Sequence, residues 1–235
     1  MNIEEFINEL NKLNIKPTEE QLKSLDKYTN MLLEYNKKFN LTAITKMDEI
    51  YLKHFYDSLT ITKVVDLDKE LKVLDIGTGA GFPGIVLKIF FPKLEITLLD
   101  SNNKKIAFLN DVIKELRLTK ITCIHGRAEE LPKEYREYFD IVTSRAVANL
   151  RVLSEVSIPY VKVNSYFIAL KGKAEEEIKE SESTLKVLDC EIEQKERFIL
   201  PDNISERTII KIRKNSITPN KIPRKYDKII KQVLR

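Results

Sequence analysis

Val73-Leu-Asp-Ile-Gly-Thr-Gly-Ala-Gly-Phe-Pro-Gly84 is the stretch on which the fold turns. An apolar run carrying one acid, Asp75, ends in a cluster of glycines and a proline. Ile85-Val-Leu-Lys-Ile-Phe-Phe91 follows, an apolar segment able to be helical. The order is strand, tight turn, helix. Glycines in such a turn remove Cβ atoms, so a ligand can approach the backbone closely. The helix start beyond them offers N–H groups that lack partners within the helix, which suits an anionic group. The stretch therefore points to a bound nucleoside-bearing cofactor.

Downstream of Leu71, strand-like and helix-like segments alternate. Strands are expected at Leu71–Ile76, Glu95–Asp100, Ile121–His125, Asp140–Ser144 and Ser165–Leu170. Helices are expected between them, at Lys104–Leu116 (apolar at Ile106, Leu109, Val112, Ile113 and Leu116) and Leu150–Tyr160. Glu191–Leu200 and Arg207–Arg213 read as two strands close enough to pair antiparallel. This pattern predicts a doubly wound α/β sheet of seven strands, mostly parallel, closed by an antiparallel β-pair. Upstream, residues 1–65 read as a helical N-terminal extension. Ile3, Phe6, Ile7, Leu10 and Leu13 follow helical spacing, and Pro17 ends that helix. Thr18-Glu-Glu-Gln21 is a capping box for the next helix, and Thr45-Lys-Met-Asp48 resembles a third start. At 100° per residue, Tyr51, Leu52, Phe55 and Leu59 face inward, while Lys53, His54, Asp57 and Ser58 share the polar side. The expected organisation is thus the extension over 1–65, a sheet domain over 66–213 and a basic tail over 214–235.

A literal G-x-G-x-x-G exists at Gly79, Gly81 and Gly84, the pattern of a dinucleotide site. The turn begins earlier, however, at Gly77. The better frame is Asp75-x-Gly77-x-Gly79-x-Gly81, which resembles the first motif of class I S-adenosylmethionine-dependent methyltransferases, a Rossmann-like fold. That cofactor carries a carboxylate, an ammonium and no phosphate. Backbone N–H groups at the helix start can take the carboxylate, and Asp75 can serve the ammonium. Asp100, 23 residues after Gly77, ends the next strand and can accept both ribose hydroxyls. Gly126-Arg-Ala-Glu129 follows the third strand and can reach the adenine edge. Ligands of open α/β sheets bind beyond the carboxyl ends of the strands, where all three groups lie. A nicotinamide oxidoreductase reading ranks below this one, because no hydride-transfer acid is evident.

Composition sets limits. The 235 residues suit one large domain with an appendage and a sizeable core. The sequence has no run of eighteen apolar residues, so no membrane span is expected. Met-Asn-Ile-Glu-Glu lacks a signal-peptide pattern, and a cytoplasmic location is expected. Cys123 and Cys190 show no metal-ligand spacing and read as buried free thiols; no metal is expected. The net charge of +4 hides an asymmetry: residues 211–235 carry +8, leaving −4 for the rest. Such a tail suits a partly ordered phosphate-binding arm.

The fourth strand leads into Ser144-Arg-Ala146. Amino-group methylases carry an Asn/Asp-Pro-Pro-aromatic motif there, and this chain does not. Cytosine C5 methylation needs a nearby nucleophilic cysteine, and neither cysteine is placed for it. A purine ring nitrogen, with its own lone pair, remains. Arg145 is the candidate catalytic residue. It can pair with Asp57, the target phosphate or the cofactor carboxylate, or donate to guanine O6.

Several stretches together resemble the bacterial 16S ribosomal RNA guanine-N7 methyltransferase family (RsmG, also called GidB). They are Asn40-Leu-Thr-Ala-Ile44, Lys53-His-Phe-Tyr-Asp-Ser-Leu59, Val73–Gly84, Leu98-Leu-Asp-Ser101, Gly126-Arg-Ala-Glu-Glu130, Ser144-Arg-Ala146, Leu170-Lys-Gly172 and Thr218-Pro-Asn-Lys-Ile-Pro223. The resemblance implies methyl transfer to N7 of a guanine in the 530 loop. It places cofactor contacts on Gly77, Phe82, Ala128, Glu129 and Arg145, with Gly79 and Asp100 joining them from the turn and strand readings. Phe82 would be an apolar wall. The implied partner is 16S ribosomal RNA, or a 30S subunit or assembly particle, met by a monomer. Lys53, His54, Asp57 and Ser58 are the expected RNA contacts, His54 alternatively pairing with Asp57 or serving a structural role, with Lys171, Lys173, Lys221 and Arg224 on phosphates. His125, at a strand end, is either cofactor-proximal or solvated. Asn215-Ser-Ile217 departs from the family tail, which commonly has a glycine before Thr-Pro.

Overall fold

The computed structural model describes residues 1–145 and 147–234; Ala146 of the Ser144-Arg-Ala146 stretch and Arg235 of the basic tail lie outside the described residues. Helix α1 (Ile3–Lys12) opens with a capping box between Asn2 and Glu5. Helix α2 (Glu19–Phe39) opens with the expected box between Thr18 and Gln21, and ends at Asn40 in the left-handed region. The third helical segment departs from expectation. Helix α3 (Met47–Ile50) has Lys46 at its N-cap and no side-chain cap, so the Thr45 hydroxyl does not start it. It runs into a π-helical turn, Tyr51–Tyr56, and then α4 (Asp57–Leu59).

The sheet strands are β1 (Lys72–Ile76), β2 (Glu95–Asp100), β3 (Ile121–His125), β4 (Phe139–Arg145), β5 (Val161–Lys171), β6 (Cys190–Ile199) and β7 (Glu206–Lys214). Their order is β3-β2-β1-β4-β5-β7-β6. β1 to β5 pair in parallel, and β7 runs antiparallel to both β5 and β6. The order reverses between β1 and β4, so the crevice beyond their carboxyl ends is the place for a ligand.

Helices α5 (Gly84–Phe90) and α6 (Asn103–Glu115) cover one face, together with α1 and α2. Helices α7 (Leu150–Ser157), α8 (Glu175–Val187) and α9 (Tyr226–Lys231) cover the other. Alternate strand residues feed the two cores. Val73, Leu98, Ile141, Ile168 and Ile209 join Phe6, Leu25, Tyr28 and Phe55. Leu74, Leu99, Val142, Phe167 and Ile210 join Leu153, Val156, Ile178 and Ile229. This period of two decides where each polar side chain of a strand goes.

The basic tail is docked, which corrects the expectation of a partly ordered arm. Lys214 is fully buried, donating to Ile158 O and Val161 O (2.9 Å each) beside Glu137 (2.6 Å). Arg136 donates to Ile222 O (2.7 Å) and Thr218 O (2.9 Å). Arg224 grips Glu155 of α7 through two 2.7 Å bonds, and Ile222 and Ile229 are buried. None of the helices among the described residues is long and apolar enough to cross a membrane.

Candidate active site

The glycine turn is held by the two acids at the ends of β1 and β2. Gly77 N and Thr78 N both donate to Leu99 O (2.8 and 3.0 Å). Asp75 Oδ2 accepts from Thr78 Oγ1 (2.7 Å) and Gly84 N (2.9 Å). Asp75 is fully buried, and burial raises its pKa to about 6 against the lowering effect of those two bonds. It therefore braces the turn and does not line the cavity, so it is not placed for direct contact with an ammonium. Asp100 Oδ2 accepts from Gly79 N and Oδ1 from Asn102 N (2.8 Å each). Each oxygen of Asp100 keeps lone-pair capacity for a further donor. Gly77 adopts φ +66, a conformation side chains rarely take.

A cavity of about 660 Å³ opens at the switch point. Gly77, Gly79, Phe82, Asp100, Ala128, Glu129 and Arg145 all line it, so the structure brings the whole expected cofactor set together. Leu99, Val152, Leu153 and Val156 supply apolar wall. Carboxylates can accept from hydroxyl or amine donors, the apolar wall suits a flat ring, and a cation marks another part of the lining.

That cation, Arg145, leaves β4 on the same face as Ile141 and so points at the N-terminal helices. Nη1 donates to Lys53 O (2.9 Å) and Asp57 Oδ2 (3.3 Å), and Nη2 lies 3.2 Å from His54 Nδ1. The guanidinium sits 5.2 Å from the Phe82 ring centroid. Burial lowers the Arg145 pKa, and Asp57 opposes that. His54 stacks on Phe82 at 4.2 Å. Burial, and then the Arg145 charge, push its pKa down to about 3, so it is neutral. With Nδ1 accepting from Arg145, Nε2–H is assigned as donor to Thr42 Oγ1 (2.9 Å). Arg207 of β7 completes the cluster: its Nε donates to Asp57 Oδ1 (2.9 Å).

The expected RNA contacts divide. His54, Asp57 and Ser58 are buried, and Ser58 Oγ donates to His54 O (2.5 Å). Asp57 and Ser58 are internal, whereas His54 belongs to the same network and also lines the cavity beside Arg145. The reason is that this polar side packs on Arg145 of β4 and Arg207 of β7, so the segment is buried on both sides. Lys53 is half-buried and paired with Glu49 (2.9 Å). Lys171 is buried, donates to Ala148 O and pairs with Glu177 (2.7 Å), so it is not free for a phosphate. Strand parity explains this, since Lys171 shares the α8 face with Ala169. Lys173 is exposed beside Glu206 (3.3 Å), and Lys221 is exposed. Arg224 is committed to Glu155. His125 is solvated, its Nε2 3.1 Å from Ser101 O. Sequence reading missed Thr42, Arg207, Tyr226 and Lys105, which lines the cavity with its Nζ 3.9 Å from Asp100 Oδ2. The parity of Arg207 with Ile209 was the one signal that could have placed it toward Asp57.

This sheet order, with its reversed β7, the glycine turn at the switch point and the acids on the next two strand ends define a class I S-adenosylmethionine-dependent methyltransferase. Solved structures share the fold. A SAM-dependent methyltransferase from Aquifex aeolicus aligns with TM-score 0.54 at 17% identity over 74% of this chain and 96% of that one. TYW2 of M. jannaschii, solved with AdoMet, aligns with TM-score 0.53 at 14% identity over 62% and 70%. The chain belongs to the GidB family, rRNA small subunit methyltransferase G, whose profile matches residues 21–203. Ribosomal RNA small subunit methyltransferase G of Bacillus velezensis is 47% identical over 228 residues, covering 96% of this chain and 95% of that protein. The protein of the same name from a Thermoanaerobacter species is 50% identical over 206 residues, covering 86% of each.

Proposed function

We propose that the chain transfers the methyl group of S-adenosylmethionine to N7 of a guanine in the 530 loop of 16S ribosomal RNA, by direct in-line displacement without a covalent intermediate. The observation that carries this reading is the state of Arg145. A guanidinium has five N–H groups. Three of them face Lys53 O, Asp57 and His54, and among the described residues the remaining N–H on Nη2 and that on Nε have no partner. They are available to guanine O6, which fixes the base while N7 keeps its lone pair.

The lining carboxylates, Asp100 and Glu129, are taken by the cofactor in this reading, and the groups around Arg145 supply no base or nucleophile. His54 is neutral with its Nδ1 engaged, and a pKa of about 3 makes it a poor proton acceptor. Asp57 is held between two arginines and does not line the cavity. Burial pushes the Cys123 thiol up to about 11 and Cys190 up to about 12, and neither lines the cavity. A ring nitrogen needs neither group, only alignment with the bound methyl donor. The cofactor supplies an electrophilic methyl on a sulfonium. Gly77 and Gly79 would hold its amino-acid end, Asp100 the ribose, and Ala128 and Glu129 the base, with Phe82 as apolar wall. Lys53, Lys173 and Lys221 would meet RNA phosphates. The chain would act as a monomer in the cytoplasm, on 16S RNA within a 30S subunit or assembly particle.

The test is transfer from methyl-labelled S-adenosylmethionine to small-subunit RNA, mapped by N7-methylguanine-specific cleavage. One labelled guanine is the expected outcome. Label on an exocyclic nitrogen, or on protein, would overturn the reading.

A further inference from the structure

Tyr226 opens α9, a helix that belongs by sequence to the basic tail. Yet it lines the same cavity as Gly77, Asp100, Ala128 and Glu129. Its ring lies against the loop that follows β3: the Arg127 guanidinium is 5.7 Å from the ring centroid, and Arg127 in turn is 3.7 Å from Glu129. Tyr226 also packs on the core that contains Ala128, Leu153, Val156 and Ile229.

A six-residue helix does not hold a position by itself. This one is fixed by α7. Arg151 donates to Ile229 O (2.8 Å), and Glu155 holds Arg224 just before the helix begins. Ile229 is fully buried beneath it. The adjoining side of α7 lines the cavity with Val152, Leu153 and Val156. One helix therefore sets both the apolar wall and the tail residue that borders it.

The chemistry of this end of the cavity is that of a slot for a flat heteroaromatic ring. Ala128 offers a small apolar surface, Tyr226 an aromatic face, and Glu129 an acceptor for an exocyclic amine. We propose that Tyr226 is a cofactor-binding residue whose ring walls the subsite for the adenine base, so that the C-terminal segment completes the cofactor site. The proposal rests on the S-adenosylmethionine reading of the cavity. A consequence is that Lys225 and Lys228, which line the basic cavity of the tail, sit at the N-cap and in the first turn of the short helix that carries a cofactor contact.

Calorimetric titration of the full chain with S-adenosylhomocysteine and with 5′-methylthioadenosine tests it. The second ligand keeps the nucleoside and lacks the amino-acid end. Tyr226→Leu keeps an apolar seat for α9 but removes the aromatic face, and Tyr226→Phe keeps the face. Loss of one base–aromatic stack is expected to weaken both ligands about tenfold in the leucine variant. The two factors should match, because the contact is with the part the ligands share. The phenylalanine variant should stay within about twofold of wild type by the same stacking argument. Thermal midpoints taken alongside show that the leucine variant is folded. A folded leucine variant that binds both ligands like wild type overturns the proposal and leaves the cofactor reading standing. A wild-type chain that binds neither ligand overturns both.

Discussion

Gly84 and Gly79 sit five residues apart in one turn, yet an added methyl group meets different surroundings at each. At Gly84 a Cβ would lie 2.2 Å from Leu98 Cδ2 and 2.9 Å from Asp75 Oδ2. At Gly79 the nearest atoms are 4.0 Å away, and the obstacle is φ +62 alone. Left-handed backbone costs a non-glycine residue about 1–2 kcal/mol. Gly79→Ala should therefore lose about that much in urea unfolding. Gly84→Ala must displace the fully buried Leu98 side chain or break the Asp75 bond, and should lose about 3 kcal/mol or more. Equal losses would contradict the packing seen at Leu98. His54 gives a pH signature. Its pKa falls to about 3 in the fold, through burial first and Arg145 second, from about 6.5 in an unfolded chain. Between those values the unfolded chain binds the extra proton, so this group's contribution to stability is lost as pH falls from about 6.5 toward 3. Asp75 acts oppositely: raised to about 6 by burial, it takes its proton first in the fold, so acidification through that range favours the fold. His54→Asn keeps an acceptor near Nδ1 and removes the titration. Its stability should fall less steeply than wild type below pH ~6.5 in denaturation series. Parallel curves would show that His54 protonates normally in the folded chain.

Three elements meet at Asp57, each contributing one charge. The π turn leading into α4 delivers the carboxylate, β4 delivers Arg145, and β7 delivers Arg207. Removing Asp57 leaves two guanidiniums facing one another, partly buried, without their shared counter-charge. Breaking such a network at its centre costs about 3–5 kcal/mol. Asp57→Ala should fall in that range, and Arg207→Ala should cost less, because Asp57 then serves Arg145 alone. The double variant should be more stable than the sum of the two losses requires, which a double-mutant cycle measures. Additive losses would mean that Arg207 is not coupled to Asp57. This junction also shows where sequence reading stops. β2 and β3 were legible at their observed bounds, since short apolar runs flanked by breakers have little freedom. The strand-end residues that line the switch-point cavity were legible as a group, because the alternation fixes the ends of β1 to β4 and the turns that follow them. The opposite side was legible in part. Pairing of Arg145 with Asp57 was one of several readings and is the one seen, 88 residues apart, whereas Arg207, 150 residues from Asp57, was not anticipated because local periodicity carries no information about so distant a partner. β5 begins four residues before expectation for a related reason. Lys162 and Asn164 look like loop, but Lys162 pairs with Asp140 (2.6 Å) and Asn164 sits at φ 64 where the register shifts.

On the scale of the molecule, charge and fold are linked through the tail. Lys221, Arg224, Lys225, Lys228 and Lys231 line a cavity of about 1020 Å³, and Arg224 is tied to Glu155. The four lysines are exposed and have no ion-pair partner among the described residues. Such a surface suits RNA phosphates, and each lost phosphate contact lowers the salt slope of binding by about 0.7–0.9. Deleting residues 214–235 would not test this. It would also remove buried Lys214, Ile222 and Ile229, and with them the seat of Tyr226 on the cofactor cavity. Neutralising Lys221, Lys228 and Lys231 to alanine is the cleaner experiment, because all three point to solvent and none touches that cavity. RNA affinity should drop, and the slope of log K against log salt should shrink by about 2–3. Binding of S-adenosylhomocysteine and the thermal midpoint should stay at wild-type values. An unchanged salt slope would remove the tail from the RNA interface. A fall in cofactor affinity without a change in slope would instead tie these lysines to the fold of α9.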